Sequence, residues 1–311
     1  MHIPGIIHRS DVDDLDLEPG QFATWLREGS VRSVQPWYVT AAAPPDLVAI
    51  LQQGVRPTCL DAAALHGLWI PPRPDAVHVF RPRRARGHRR ARGPRADGDN
   101  LATASPIRRR GGKRLGTPQA PVPLLHHGPA LRSWPDTAPV PPLPLVLEHA
   151  ARCLAAVDAA TLFESALEQG RVTDHQAEQI VASLPHRQRR DLGRIRRGAG
   201  SGTETTVRWW LESLGVPVRV QVHIGTVGRV DILAGRRWII ECDSREFHDD
   251  EQQYARDRAR DLELQFLGFR VTRLTWEQVF VSWRTTRPML LAILRRGDHL
   301  RPPAPSRIRA V

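Results

Sequence analysis

Between Gly228 and Asp250 the chain reads GRVDILAGRRWIIECDSREFHDD, two apolar runs on either side of a Gly235-Arg236 turn. Each run carries carboxylates where a buried strand should have none. Alternating apolar positions mark both runs as strands, and the short turn marks them as a hairpin. An ionised carboxylate buried without a partner costs several kcal/mol or more, so Asp231, Glu241 and Asp243 must either pair with nearby arginines or hold a cation. Period two sets Glu241 and Asp243 on one face of the second strand, with Cys242 opposite. The antiparallel hairpin brings Asp231 beside Glu241. A hard divalent ion bound through oxygen, Mg²⁺ or Mn²⁺, suits such a donor set. Held there, it would activate water and stabilise charge on a phosphate.

The neighbouring segments narrow the fold further. SGTETTVRWWLESLG places Val207, Trp210, Leu211 and Leu214 on one helical face, with Ser201 and Glu204 set as a capping box and Gly215 as the stop. VRVQVHI alternates as a strand. DDEQQYARDRARDLELQFLG reads as a helix with Ala255, Ala259, Leu262 and Phe266 inward. On that helix Arg256, Asp257, Arg260 and Asp261 form opposite-charge pairs at helical spacing, whose default is a solvated face. FRVTRL is a fourth strand, and Thr275 with Gln278 caps a last helix running to about Leu294. The order is αβββαβα. A hairpin combined with a strand-helix-strand crossover predicts an α/β fold with a mixed, helix-flanked sheet. Cys242 reads as a small core residue.

Outside this region the chain divides by composition. Residues 1–75 mix short helical patterns with turns, and LDAAALHGLW reads as a helix ending at Gly67. Residues 76–144 are rich in Arg and Pro, with 15 of the 27 prolines lying between Pro71 and Pro144. Such a stretch cannot bury enough apolar surface to fold alone and reads as a largely disordered linker. Residues 145–195 read as a helical connector, in which Thr173 caps TDHQAEQIVASL. Residues 196–298 form the clearest unit, and 299–311 a tail.

The net charge of +12 is local rather than spread, because residues 81–116 hold thirteen Lys/Arg against two Asp. Lys113 is the sole lysine. Within this run Arg81, Arg83 and Arg84 are candidate phosphate contacts, against the alternative of a solvated linker. Cys59, Cys153 and Cys242 are scattered; they form neither a disulfide framework nor a zinc pattern and suit a reducing cytoplasm. No run of about 18 apolar residues points to a membrane span. The start, MHIPGIIHRSDVDDLDLEPG, lacks the pattern of a signal peptide.

Taken in order, SGTET, RVDIL, IIECDSREFH and RDRARDLELQFLGFRVTRLTWEQV resemble the PD-(D/E)xK nuclease superfamily over about residues 200–296. Within it they look like the very-short-patch-repair endonuclease-like domains of unknown function. The resemblance implies a restriction-endonuclease-like αβββαβ core and metal-dependent hydrolysis of DNA. It implies Asp231 and Glu241 as metal ligands and catalytic acids, Glu204 as a supporting acid, and Gln221, Asp243 and His248 lining the site. The superfamily's usual lysine, two residues after the Glu, is Asp243 here, and Arg245 or His248 is the expected substitute. SVRSVQPWYV and TCLDAAALHGLW resemble the amino-terminal winged-helix region of abortive-infection type IV antitoxins, with QPWYV as the wing strand. That second resemblance implies an alternative, a non-catalytic DNA-binding regulator or antitoxin-like protein that keeps the nuclease fold. DNA is the expected partner under both, and a homodimer and a toxin or repair partner stay open.

Overall fold

The computed structural model describes residues 3–72, 76–81, 123–128, 132–243 and 251–303, of which 251–257 are described by their backbone alone. It is a mixed α/β structure with three small sheets among the described residues. Two units divide the chain, Met1–Leu68 with Arg73–Leu154, and Trp69–Pro72 with Ala155–Val311. No helix among the described residues is long and apolar enough to cross a membrane.

The first unit contains β1 (Ile6–His8), α1 (Gln21–Glu28), β2 (Val31–Val34), β3 (Trp37–Thr40), α2 (Pro45–Leu51), β4 (Arg56–Pro57), α3 (Cys59–Leu65), β5 (Val77–Phe80), β6 (Leu124–His126) and α4 (Leu143–Cys153). One sheet has the antiparallel order β1-β3-β2, and β3 is the strand read from QPWYV. α2 separates that strand from α3; its Pro45 fits a first turn, where the missing N–H has no helical acceptor to lose. α3 closes at His66 with Gly67 at φ 73°, as its sequence predicts.

The second sheet pairs β4 with β5 antiparallel and β5 with β6 parallel. Residues 76–144 are therefore not one piece. Their flanks build β5 and β6, while 82–122 lie outside the described residues. Ile50 of α2 buries with Val55 and with Val77 and Val79 of β5, and Phe80 buries with Trp134 and Leu145. Arg56 is buried here as well. Its Nη1 donates to the carbonyls of Pro135 (2.9 Å) and Ala138 (3.0 Å), and its guanidinium lies 3.9 Å from the centre of the Trp134 ring. Burial pulls its pKa down to about 10, and the two acceptors and the aromatic face offset the desolvation of the charge.

The second unit contains α5 (Ala156–Glu168), α6 (Asp174–Ala182), α7 (His186–Asp191), α8 (Gly202–Ser213), β7 (Val218–Ile224), β8 (Gly228–Ala234), β9 (Trp238–Asp243), α9 (Glu251–Phe266), β10 (Arg270–Thr275), α10 (Trp276–Phe280) and α11 (Trp283–Arg295). Thr173 and Gln176 make the reciprocal cap of α6. α5 and α8 share a buried ion pair between Glu164 and Arg208, both at or below 1% exposure. Thr205 Oγ1 also donates to Glu164 (2.9 Å), and Arg208 Nη1 reaches Glu212 (2.9 Å). Each charge thus meets several partners, the condition under which burying a pair is tolerable.

The sheet order is β10-β9-β8-β7, antiparallel except for the parallel β9–β10 pair. Ile232, Ala234, Ile240 and Cys242 point to one side and pack with Val207 and Leu211 of α8, Leu274, Val279 and Leu290. Val230, Leu233 and Ile239 pack on the other side with Leu264 of α9. Strict alternation would send Val230 the same way as Ile232, yet the two lie in different clusters. On β7 the change comes between Val220, packed with the first cluster, and Val222, packed with the second. Gln221, at φ 51°, accounts for this reversal, and the β7–β8 ladder skips the Gln221/Asp231 position.

Three expectations change at this level. The single helix expected after Thr275 is two, α10 and α11, although the Thr275/Gln278 capping box is present as read. On α8, Val207 and Leu211 are buried, whereas Leu214, past the end of the helix, is exposed. On α9 the inward face is not the one the apolar residues suggest: Ala259 is exposed, as are Leu262 (69%) and Phe266, while Leu264 is fully buried. The reason is electrostatic. The sheet face under α9 carries Glu241 and Arg273, so Arg260 turns inward to the one and Asp261 to the other, with Leu264.

Candidate active site

Four strands and two helices meet where the β7–β8–β9 ladder loosens. The last regular β8–β9 pair is Ile232↔Ile240. One step further, Asp231 and Glu241 stand opposite each other and side chains replace the ladder. Asp231 N donates to Glu241 Oε2 (3.3 Å), and Cys242 N donates to Asp231 Oδ2 (2.9 Å). Gln221 completes the group from β7: its Nε2 lies 2.7 Å from Glu204 Oε2 and 3.5 Å from Asp231 Oδ1. The expected convergence of Asp231 and Glu241 is present, and Glu204 and Gln221 join them.

Glu204 enters from the first turn of α8. Ser201 Oγ accepts from its N–H (3.1 Å), which is half of a capping box. The returning half is absent, because the carboxylate instead accepts from Gly200 N (2.8 Å) and from Gln221. Gly200 permits this approach, since a Cβ there would lie 2.8 Å from Glu204 Oε1. The side chain that the sequence offers as a helix cap is thus directed at the acid cluster.

Burial and mutual repulsion dominate the electrostatics. Glu204 is 4% exposed and Glu241 5%. Burial first, and the Asp231 charge second, raise Glu204 from the ordinary 4.5 to about 7 against the hydrogen bonds that favour its anion. The same two causes raise Glu241 to about 7, against the pull of Arg260. Burial also pushes the Cys242 thiol well above its usual range, which fits the inert core role read for it.

Two arginines face the acids. Arg260 Nη2 lies 2.9 Å from Glu241 Oε1 but donates its hydrogen bond to the Arg229 carbonyl, and no hydrogen bond reaches that buried Glu241 oxygen among the described residues. Arg273 of β10 stands opposite Glu241 in register and spans Asp243 (3.3 Å) and Asp261 (2.9 Å). Arg260 was expected on a solvated helix face; it is turned to the cluster instead. The signal for it is Leu264, one helical turn later and fully buried.

The expected substitutes for the lysine, Arg245 and His248, lie outside the described residues, as do Arg83 and Arg84. Arg81 is described, exposed just after β5. A divalent ion fits the acids by donor chemistry: all are oxygens, Asp231 and Glu241 are adjacent, and one buried Glu241 oxygen, ion-paired with Arg260, accepts no hydrogen bond among the described residues.

Sequence reasoning also passed over a second group. Cys59, His78, His127 and Cys153, all in the first unit, bring one ligand atom each within 4.8 Å of one another. The cysteines expected to be scattered are so in the sequence, but two of the three meet in space. The Cys153 thiol is drawn down to about 3, chiefly by the hydrogen bond from Cys59, whose own pKa rises through burial.

No protein-family model, no curated protein and no solved structure matches the chain.

Proposed function

We propose that this chain is a divalent-metal-dependent DNA endonuclease whose second unit is a restriction-endonuclease-like core of the PD-(D/E)xK type. The observation that carries the reading is the convergence of Glu204, Asp231 and Glu241 from three elements, with the two glutamates buried and both raised to about 7. Carboxylates kept this way in a fold interior call for a cationic ligand. The element order and the mixed β10-β9-β8-β7 sheet support the same reading.

In this reading Asp231 and Glu241 hold Mg²⁺ or Mn²⁺. The ion, when bound, supplies Lewis acidity toward water and a phosphate oxygen. Gln221 ties Glu204 to Asp231 and fixes the spacing of the acids. Glu204, whose pKa lies near 7, is the group that takes or returns a proton at Oε1, since Oε2 already accepts from Gly200 and Gln221. Arg260 provides the fixed positive charge that a lysine supplies elsewhere, here from α9. Asp243, held by Arg273, is a positioning residue in the place of that lysine.

A second reading has an observation of its own. Arg260 and Arg273 already pair with Glu241 and Asp243, so these two acids have cationic partners without a metal, which suits a non-catalytic DNA-binding regulator that retains the fold. One experiment separates the two. The purified chain is incubated with duplex, mismatched and single-stranded DNA in Mg²⁺, Mn²⁺ or EDTA, beside an Asp231→Ala/Glu241→Ala variant. Metal-dependent cleavage by the wild type alone is the expected result. Retarded DNA without cleavage, identical in wild type and variant, refutes the enzyme and leaves the regulator.

A further inference from the structure

We propose that Cys59, His78, His127 and Cys153 form a closed, tetrahedral zinc site that staples the first unit together. Four elements supply one ligand each: Cys59 is the first residue of α3, His78 lies on β5, His127 follows β6, and Cys153 ends α4. The parallel pairing of β5 with β6 places the two imidazoles side by side, and His127 N donates to the Val79 carbonyl (2.8 Å).

The distances match zinc chemistry. His78 Nδ1 lies 3.0 Å from His127 Nε2 and 3.7 Å from Cys153 Sγ. Tetrahedral Zn²⁺ with nitrogen at about 2.05 Å and sulfur at about 2.3 Å sets edges of about 3.3 Å between nitrogens and about 3.6 Å between nitrogen and sulfur. All four ligand atoms fall within 4.8 Å of one another. One hydrogen bond accounts for only part of this packing, since His78 Nδ1 has a single proton or a single lone pair to offer yet faces both His127 Nε2 and Cys153 Sγ. His78 is buried, and its Nε2 meets no partner among the described residues. The nitrogen it does engage is the one turned into the cluster.

Charge and softness select the ion. Two thiolates and two neutral imidazoles balance a dication, so the loaded site is neutral and cheap to bury. Sulfur with imidazole favours zinc over the hard ions expected at the acid cluster. Four protein ligands fill the coordination shell, which makes the site structural rather than catalytic. The backbone is prepared for it as well. Cys59 adopts φ 48°, a left-handed conformation rare for a residue with a β-carbon and one that persists where the surroundings enforce it. Two ligands precede residues 82–122 in the chain and two follow them. Zinc would therefore join the two sides of that Arg-rich stretch, a link that local sequence spacing hides.

The test uses the full chain. Metal content of protein purified without chelator is measured by mass spectrometry, and chelator-treated protein is then titrated with Co²⁺. The expected result is about one zinc per chain, and a cobalt complex with the visible bands of tetrahedral coordination and near-ultraviolet thiolate charge transfer. Cys153→Ser and His127→Ala each lose the zinc and weaken cobalt binding by about a hundredfold or more. Cys242→Ser, in the other unit, keeps both. Excess Mg²⁺ leaves the cobalt spectrum unchanged. The cobalt titration of the wild type depends on no variant's folding. Zinc-free protein with a featureless cobalt titration overturns the proposal. So does undiminished metal in the ligand variants, or a Cys59–Cys153 disulfide found in place of two free thiols.

Discussion

Replacing Glu204 with Gln isolates the least ordinary feature of the acid cluster, a carboxyl held near neutrality by burial. The amide keeps the shape and the acceptor that Gly200 N and Gln221 use, but it carries no charge. In the wild type the folded-state pKa is about 7 against the ordinary 4.5. The sign follows from linkage. A pKa raised by folding contributes stability that is fully present below 4.5 and lost as pH climbs through about 7. Between about pH 5 and about pH 8 this one group removes about 2.5 kcal/mol of stability. Without metal, Glu204→Gln should lack that loss and be more stable than wild type by a comparable margin at the higher pH. Because the chain has two units, whole-chain melting would blur the result. Pulsed hydrogen exchange along a urea gradient in EDTA, read on peptides of β8 and β9, reports on the site directly. If the two proteins lose stability in parallel between the two pH values, or the variant is equally destabilised at both, Glu204 is not held protonated and the electrostatic argument fails.

Arg260→Ala removes the cation that lowers the Glu241 pKa, so the acid limb of the cleavage pH profile should move upward and the rate fall by about a hundredfold. An unchanged pH–rate profile would mean that Arg260 acts only in packing. Glu164→Ala leaves Arg208 without its main partner at 1% exposure and should destabilise the second unit by about 3–5 kcal/mol, read by urea unfolding. A loss below about 1 kcal/mol would show that Thr205, Glu212 and Trp209 were arranged around a dispensable pair.

What could be read from the sequence followed what is local. The β8–β9 hairpin was legible because alternation and a turn are written in adjacent residues, and carboxylates in an apolar run announce themselves. The caps at Thr173 and Thr275 were legible for the same reason. Glu204 was half legible: a capping box and an acid aimed at a site use the same spacing, and only the approach of Gln221 and Gly200 separates them. The inner face of α9 was misread because periodicity assumes that apolar residues go in, whereas here Glu241 draws in Arg260 and Arg273 draws in Asp261. The reversal at Gln221 rests on a backbone angle that no residue pattern announces. The Cys/His group was hidden because its members come from four elements between Cys59 and Cys153, with no short spacing to mark it.

The central claim is that Asp231 and Glu241 bind a hard divalent cation. The most direct measurement titrates Mn²⁺ into the chelator-treated chain and follows free Mn²⁺ by electron paramagnetic resonance, with Mg²⁺ as competitor. The account predicts saturable binding that Mg²⁺ displaces, that survives Cys153→Ser, and that disappears in an Asp231→Asn/Glu241→Gln variant. Mn²⁺ that stays free, or binds the double variant as it binds the wild type, would contradict it.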